Sequence, residues 1–379
     1  MNKEKLNILF IVPDLKREGA QTQLIDLMNG MDNLKFSKHL FTLEKSLEQL
    51  ARIDQEHIIH TNMIRRYRYD LLRIANKIAQ LIDKEQIDIV HCTLQFAILF
   101  GWFGRRLSNR KPKLVAALHT TQNRSIKEEL QDRLVYSPIL KRCEKVIFVC
   151  EKQREVWEDK FPHLSDGKSV AIHNGIDIEY FSRDKITSNQ KKELRNRLCI
   201  HKNNKVIVCL AAFRPEKGHK NLIGAMAGLS KNVHLLLAGE GERLKAMKSL
   251  AQQMPYANRI HFLGNVKDVR TILAIADVSV LASTAVETFS IAMLESMSME
   301  VPVVATRLGG MEEAVIPGKT GELAIPNDKD SLTLALGKVL GGTKELQSLR
   351  RNSKALIHEK FFIQGMIKKT ESELSGLIS

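Results

Sequence analysis

Short apolar runs alternate along this chain with longer stretches whose apolar residues recur at helical spacing. In the first half the short runs are Asn7–Val12, His39–Leu43, Ile58–Asn62, Ile87–Cys92, Leu114–His119, Val146–Cys150 and Val170–His173. Between them, Ala20–Met31 places Leu24, Leu27, Met28 and Met31 on one helical face. Tyr69–Lys84 does the same with Leu72, Ala75, Ile78, Ala79 and Ile82. The second half starts the pattern again, with strand candidates Val206–Leu210, His234–Ala238, Ile260–Leu263, Val278–Leu281 and Val301–Thr306. Strands separated by helix-length amphipathic segments predict an α/β chain of two doubly wound parallel sheets. The polar, Lys-, Arg- and Asn-rich stretch Ile178–Asn204 separates the halves and should open the second with an amphipathic helix. The expected domains are therefore residues 1–180 and 181–379, with the last helix a candidate to return to the first. Ligands of such sheets bind beyond the carboxyl ends of the strands, so a cleft between the domains is the expected site.

Four strand-to-helix turns carry candidate chemistry. The richest is Thr284–Glu295, which joins the apolar run Ala276–Ser283 to a predicted buried helix over Ile291–Met299. Glu287 sits on the turn and Glu295 lies further along the helix. The amides of Thr288, Phe289 and Ser290 are the expected donors at the helix start, where partial positive charge and open N–H groups suit a phosphate or sugar oxygen. Carboxylates beside an anion site suit a ligand with both hydroxyls and phosphates, such as a nucleotide sugar. The pair could equally be the acid and base of a hydrolase. Arg214 and Lys217, next to Gly218 and before a predicted helix Asn221–Leu229, could clamp a diphosphate without a metal. Gly19, before Ala20 at the first helix, would let backbone approach a phosphate; an ordinary turn looks the same. His119 ends a strand and is a site candidate, whereas His91, in a similar place, reads as structural. Met293, Met297 and Met299 read as helical core packing.

Composition narrows the classes. A chain of 379 residues with 44% hydrophobic and 27% charged residues is that of a folded globular protein. Five cysteines in no Cys-x2-Cys pair predict buried thiols in a reducing cytoplasm and neither a zinc site nor a disulfide framework. Only one glycine stands in the first turn, which argues against a dinucleotide fingerprint. Leu6–Pro13 reads as a first strand instead of a signal peptide, and Leu94–Gly104 is too short to span a bilayer. The net charge of +15 fits an anionic membrane surface, or a solvated basic surface with no partner. Basic clusters such as Arg65–Arg68 lack the interleaved aromatics that stack on bases, so a nucleic-acid partner is not expected.

Together these motifs resemble the retaining glycosyltransferases of family 4, the GT-B fold group also called glycosyl transferases group 1. The resemblance rests on Glu287-x7-Glu295 followed by Val301-Pro-Val-Val and Gly309-Gly310. Asn174-Gly-Ile-Asp177, Arg214-Pro-Glu-Lys-Gly218, Leu237-Ala-Gly239-Glu-Gly241 and Gly318-Lys-Thr-Gly321 also stand in the family's order. It implies a GT-B architecture, two Rossmann-like domains facing across a cleft, with the acceptor on the N-terminal side and the donor on the C-terminal side. It implies transfer of a sugar, of hexosyltransferase type, from a UDP- or GDP-sugar to a glycan or lipid-linked acceptor. That work would belong to cell-surface polysaccharide or glycolipid assembly, without a cofactor or metal; the basic charge, not the resemblance, adds the expectation of peripheral attachment to the inner face of the plasma membrane. Glu295 is implied to hold the ribose hydroxyls, and Glu287 the donor sugar, with Thr288 and the amides of Phe289 and Ser290 near sugar and phosphate. Arg214 and Lys217 are implied to bind the diphosphate, with Gly19 and Ala20 approaching it from the other domain, His119 near the sugar, and backbone at Gly241 and Val266 holding the base. Two departures stand out: Ala212 occupies the place of a frequent family arginine, for which Arg214 substitutes, and Ser290 replaces a frequent glycine. An epimerase or hydrolase of the same fold is the alternative reaction, and a basic nucleic-acid-binding protein the remoter one.

Overall fold

The computed structural model describes residues 5–44, 48–54, 58–60, 71–120, 125–165 and 167–378. It divides into two compact units, residues 1–175 with 363–379, and residues 176–362. The boundary expected at 180/181 thus falls at 175/176, and the chain changes unit a second time at 362/363.

The first unit is built on one parallel sheet. Its strands are β1 (Leu6–Val12), β2 (Phe36–Thr42), β3 (Ile58–His60), β4 (Ile89–Thr93), β5 (Lys113–Leu118), β6 (Lys145–Phe148) and β7 (Ser169–Ala171), in the order β3-β2-β1-β4-β5-β6-β7. Sheets covered on both faces need apolar side chains on both, which is why β1 reads as an unbroken run with Ile8 to Val12 fully buried. Helices Leu71–Lys84 and Gln95–Leu107 cover one face through Ile74, Ile78, Ile82, Ile98 and Phe100. Helix Gly19–Gly30 covers the other, packed beside the last helix, Ile363–Ser375, which adds Ile363, Ile367 and Leu374 to the same core. The two helices fit tightly, since a Cβ on Gly30 would meet the Ile367 side chain at 2.2 Å. The expected strand Ile58–Asn62 and helix Tyr69–Lys84 both extend into residues outside the described ones.

The second unit repeats the plan with β8 (Lys205–Leu210), β9 (Val233–Ala238), β10 (Ile260–Gly264), β11 (Val278–Leu281), β12 (Val303–Thr306) and β13 (Gly321–Ala324). Their order is β10-β9-β8-β11-β12-β13, all parallel. The sequence pattern missed β13. Its four residues, Gly-Glu-Leu-Ala, pair along β12 but carry little apolar signal of their own. Arg183, Arg195 and Arg350 donate to carbonyls at the far end of this sheet from the site described below, at Ala274, Ile275 and Ala276. In each sheet the strand order reverses once, between β1 and β4 and between β8 and β11. Loops leaving such a pair of strands diverge to opposite faces and open a crevice at the carboxyl edge.

Candidate active site

In the second unit, the crevice between β8 and β11 gathers most of the expected residues. Lys217 leaves β8 on a short turn, Pro215–Lys217, and Glu287 leaves β11. The Lys217 Nζ lies 2.8 Å from Glu287 Oε2, and the buried Ser283 hydroxyl donates to the same oxygen at 2.7 Å. The two loops are also tied through backbone, with the Thr284 N–H donating to Glu216 O at 2.7 Å. A cation and a carboxylate are thus held side by side on neighbouring strand ends. Arg214 is half-buried at the entry to the same turn, three residues before Lys217, in extended backbone. Phe213 beneath it stacks on His219, ring centroids 4.1 Å apart, which fixes the root of the loop.

Glycine makes this close packing of loops possible. Gly218 has φ +66°, and a Cβ there would stand 1.8 Å from Ala282 O. Gly309, after β12, has φ +53°, and a Cβ there would stand 2.1 Å from Glu287 O. The Gly310 N–H donates to Thr288 O at 2.7 Å, so the Gly309-Gly310 pair holds the Glu287–Thr288 backbone in place. We expect Gly309→Ala to cut kcat/KM for the donor at least about tenfold, because the new methyl must push the Glu287 peptide aside. Gly264→Ala is the control: φ is also left-handed, +68°, but nothing lies within 4 Å, so it should cost only about 1 kcal/mol of backbone strain. Equal losses in the two variants, measured by nucleotide release, would count against the contact argument.

The helix after Glu287 runs Ile291–Ser298, with Ser290 as its N-cap; the Ser290 hydroxyl accepts from the Met293 N–H at 3.4 Å. The helix-start amides are therefore those of Ile291 to Met293, one turn later than expected, while Thr288 and Phe289 lie in the preceding loop, both buried. Phe289 packs on Phe361, centroids 5.2 Å apart. Met293, Met297 and Met299 face the core, while Ile291, Ala292 and Glu295 share the half-exposed face. Glu295 thus sits one turn below Ile291 on the face that leads to the capped end. Gly241 follows β9 and the half-buried Val266 follows β10, both at this same carboxyl edge. A bond from the Gly239 N–H to Gly264 O, 2.8 Å, joins the two loops.

In the first unit, Gly19 is the exposed first residue of helix Gly19–Gly30 and Ala20 follows half-buried. The turn before them is held by Asp14, whose carboxylate accepts from the Lys16 N–H at 3.0 Å and from Gln21 Nε2 at 2.9 Å. Ala20 and His119 both line a pocket with His91, Thr93 and Asn174, walled by Leu24, Ile147 and Met366. Burial, with His91 as neighbour, pushes the His119 imidazole down to about 4, so near neutral pH it can both donate and accept a hydrogen bond. His91 Nδ1 and Thr93 Oγ1 are buried and have no protein hydrogen-bond partner among the described residues. His91, which reads as structural in the sequence, lines this pocket. Its alternation with Thr93 along β4 puts both on the pocket face, a period-2 signal that goes unseen when each residue is weighed alone. Gln23 was also missed: buried in the first helix, it donates to Gly175 O at 2.9 Å and accepts from Gly175 N–H at 2.7 Å.

The model of glycosyltransferase family 4 matches residues 17–180, and that of glycosyl transferases group 1 matches residues 190–356. The chain belongs to the family 4 glycosyltransferases. As such it is an enzyme that transfers a sugar from a nucleotide-sugar donor. This family 4 glycosyltransferase is 24% identical over 311 residues to the N-acetyl-alpha-D-glucosaminyl L-malate synthase of Bacillus anthracis, covering 80% of this chain and 78% of that one. It is 29% identical over 197 residues to a GDP-mannose-dependent alpha-(1-6)-phosphatidylinositol monomannoside mannosyltransferase of Mycolicibacterium smegmatis, covering 48% of this chain and about half, 50%, of the relative. Its fold is shared with a glycosyltransferase of Rickettsia africae at TM-score 0.86 and 21% identity, covering 100% of both chains. It is also shared with HepE of Anabaena in complex with UDP-glucose, at TM-score 0.84 and 23% identity, covering 98% of this chain and 100% of that one. These likenesses put the family 4 enzyme in the GT-B fold class. Among its described residues no helix is long and apolar enough to cross a membrane, and no group of three His, Cys, Asp or Glu could hold a metal ion.

Proposed function

We propose that this enzyme is a retaining hexosyltransferase that uses a UDP- or GDP-sugar and glycosylates a hydroxyl of a glycan or lipid-linked acceptor. The observation that carries the reading is the Lys217–Glu287–Ser283 constellation on the β8/β11 crevice, a cation for phosphate beside a carboxylate for hydroxyls. Arg214 and Lys217 would take the diphosphate, with Gly19 and Ala20 approaching it by backbone. Glu287 would hold a sugar hydroxyl, Glu295 the ribose, the backbone at Gly241 and Val266 the base, and neutral His119 a further sugar hydroxyl. In the reaction the bond from the sugar's anomeric carbon to the diphosphate breaks, and a bond to the acceptor oxygen forms on the same face. The acceptor proton passes to the departing phosphate oxygen, so no protein base is needed and two cations offset the charge that builds there. No metal is required by this scheme. The UDP-glucose complex of one structural neighbour, and the GDP-mannose and phosphatidylinositol monomannoside in the name of one relative, support the donor and acceptor classes. We place the work in cell-surface polysaccharide or glycolipid assembly on the cytoplasmic face of the plasma membrane.

A panel of UDP- and GDP-sugars, read by nucleotide release with and without acceptor, tests the proposal. One donor should give slow release alone, and Glu295→Ala should raise the KM for that donor about tenfold or more. Unchanged donor binding in that variant, or no donor turned over, would sink the reading. NMR of the donor incubated alone separates transfer from epimerisation, which would change the sugar without releasing nucleotide.

A further inference from the structure

We propose that the helical segment Ile126–Leu140 of the first unit docks this enzyme onto an anionic lipid surface. This rests on the proposed reading of a membrane-linked acceptor and gives that membrane a place to bind. The segment is one continuous helical run, Ile126–Gln131 and Ser137–Leu140 joined by a wider turn at Asp132–Tyr136. Its inner side carries the buried Asp132, Ile139 and Leu140. The opposite side leaves Ile126 81%, Leu130 51% and Leu134 73% exposed, three apolar side chains at four-residue spacing; Val135, 37% exposed, lies on the same run but off this stripe. Single exposed leucines are ordinary on a folded surface. Here four of the eleven large apolar side chains found exposed among the described residues fall within ten residues of one helical run.

Charge is sorted around that stripe. At 100° per residue, Lys127 flanks it on one side and Arg133 on the other, while Glu128, Glu129 and Asp132 point away. Glu129 is bonded to both Arg133 and Lys160, and Asp132 lies 3.3 Å from Lys160. Glu129 and Asp132 are thus both held by Lys160 on the protein side, and the exposed Lys141 and Arg142 follow the segment directly. An apolar stripe with flanking cations is the layout of helices that lie in the membrane interface, where buried apolar area and attraction to anionic lipid add together. A second copy of the chain is a poor occupant, because each brings a net charge of +15. Ile126 lies seven positions beyond His119, which holds it within about 25 Å of that pocket residue.

The test is flotation of the full chain with vesicles of equimolar phosphatidylglycerol and phosphatidylcholine, against vesicles of phosphatidylcholine alone. The triple variant Ile126→Gln/Leu130→Gln/Leu134→Gln leaves the charge unchanged and alters only exposed positions. It should bind the anionic vesicles about tenfold or more weakly than the parent, whereas Leu334→Gln, at a comparably exposed site on the second unit, should bind like the parent. Both variants should keep the parent's melting temperature and its nucleotide release from a soluble donor. Parental binding by the triple variant would overturn the proposal, as would absence of binding by the parent. So would a dimer in gel filtration that the triple variant dissolves, because a second copy would then own the stripe. Loss of donor turnover in every preparation, with vesicle binding intact, would instead fall on the proposed function.

Discussion

Lys217→Ala should lower kcat/KM for sugar transfer about a thousandfold, equivalent to roughly 4 kcal/mol of lost transition-state stabilisation. Charge builds on the diphosphate as it departs, and a preorganised cation stabilises that state more than the bound donor. Lys217 is preorganised: its ammonium is pinned 2.8 Å from Glu287, on a turn closed by Gly218 against the Ala282 backbone. The same pinning predicts a structural loss. Glu287 is 10% exposed at its side chain, so removing its cation leaves a nearly buried carboxylate supported by Ser283 alone among these partners. That should cost about 2 kcal/mol, less than a fully buried pair because Lys217 keeps 23% exposure. The two losses can be separated. Lys217→Met with Glu287→Gln removes both charges and should recover most of the melting temperature, but none of the transfer. If the double variant regains activity along with stability, Lys217 serves the fold and not the diphosphate. If Lys217→Ala retains full kcat/KM, the assignment of this crevice to the donor fails outright.

How much of this site the sequence reveals depends on how local each constraint is. Strands β1, β8 and β9 are buried on both faces, so their apolar runs announce them. The loops that leave β8, β11 and β12 carry Lys217, Glu287 and Gly309 at fixed offsets from the apolar runs of those strands, and the order of turns is readable before any contact is known. What is not local is not readable. The four-residue strand β13 exists because β12 offers it a ladder, and nothing in Gly-Glu-Leu-Ala demands a strand. The last helix is a candidate from the sequence to return to the first unit, but the contacts that hold it there are not readable: Ile367 fills the space that Gly30 leaves and Glu371 accepts from the Asp32 N–H, across more than three hundred residues. The helix starts at Ile291, as its apolar pattern indicates, but Ser290, expected as one of several open amides, also caps it through its hydroxyl, which accepts from the Met293 N–H. The pocket that joins His91, Thr93 and His119 needs β4 and β5 to be neighbours, a pairing that alternation alone does not specify.

The stability of the enzyme should fall steeply on acidification from pH 6.5 to 5, well before its carboxylates titrate. Burial depresses His91, His119, His219 and His234 to about 4, against an ordinary value of 6.5. Burial likewise lowers His39 and His261. A histidine lowered in the fold is held neutral there, so the unfolded chain binds the extra proton at acid pH. The contribution of each is whole above 6.5 and is lost as the pH falls through 6.5 towards about 4. In that window a fully buried histidine such as His91 costs up to about 1.4 kcal/mol for each pH unit. His234 and His261 contribute less than two independent sites, because their rings share a hydrogen bond, 3.0 Å from Nδ1 to Nε2. With native stability of roughly 5–15 kcal/mol, several such groups are enough to unfold the enzyme near pH 5. Urea titrations at pH 7, 6 and 5 give the slope directly, and proton uptake on unfolding should approach several per chain. His219→Phe offers an internal check: the ring stacks on Phe213, so a phenyl keeps the contact and removes one titrating group. That variant should lose less stability on acidification than the parent. A parent midpoint that stays flat from pH 7 to 5 would mean that these imidazoles are hydrated in solution and can be protonated without opening the fold.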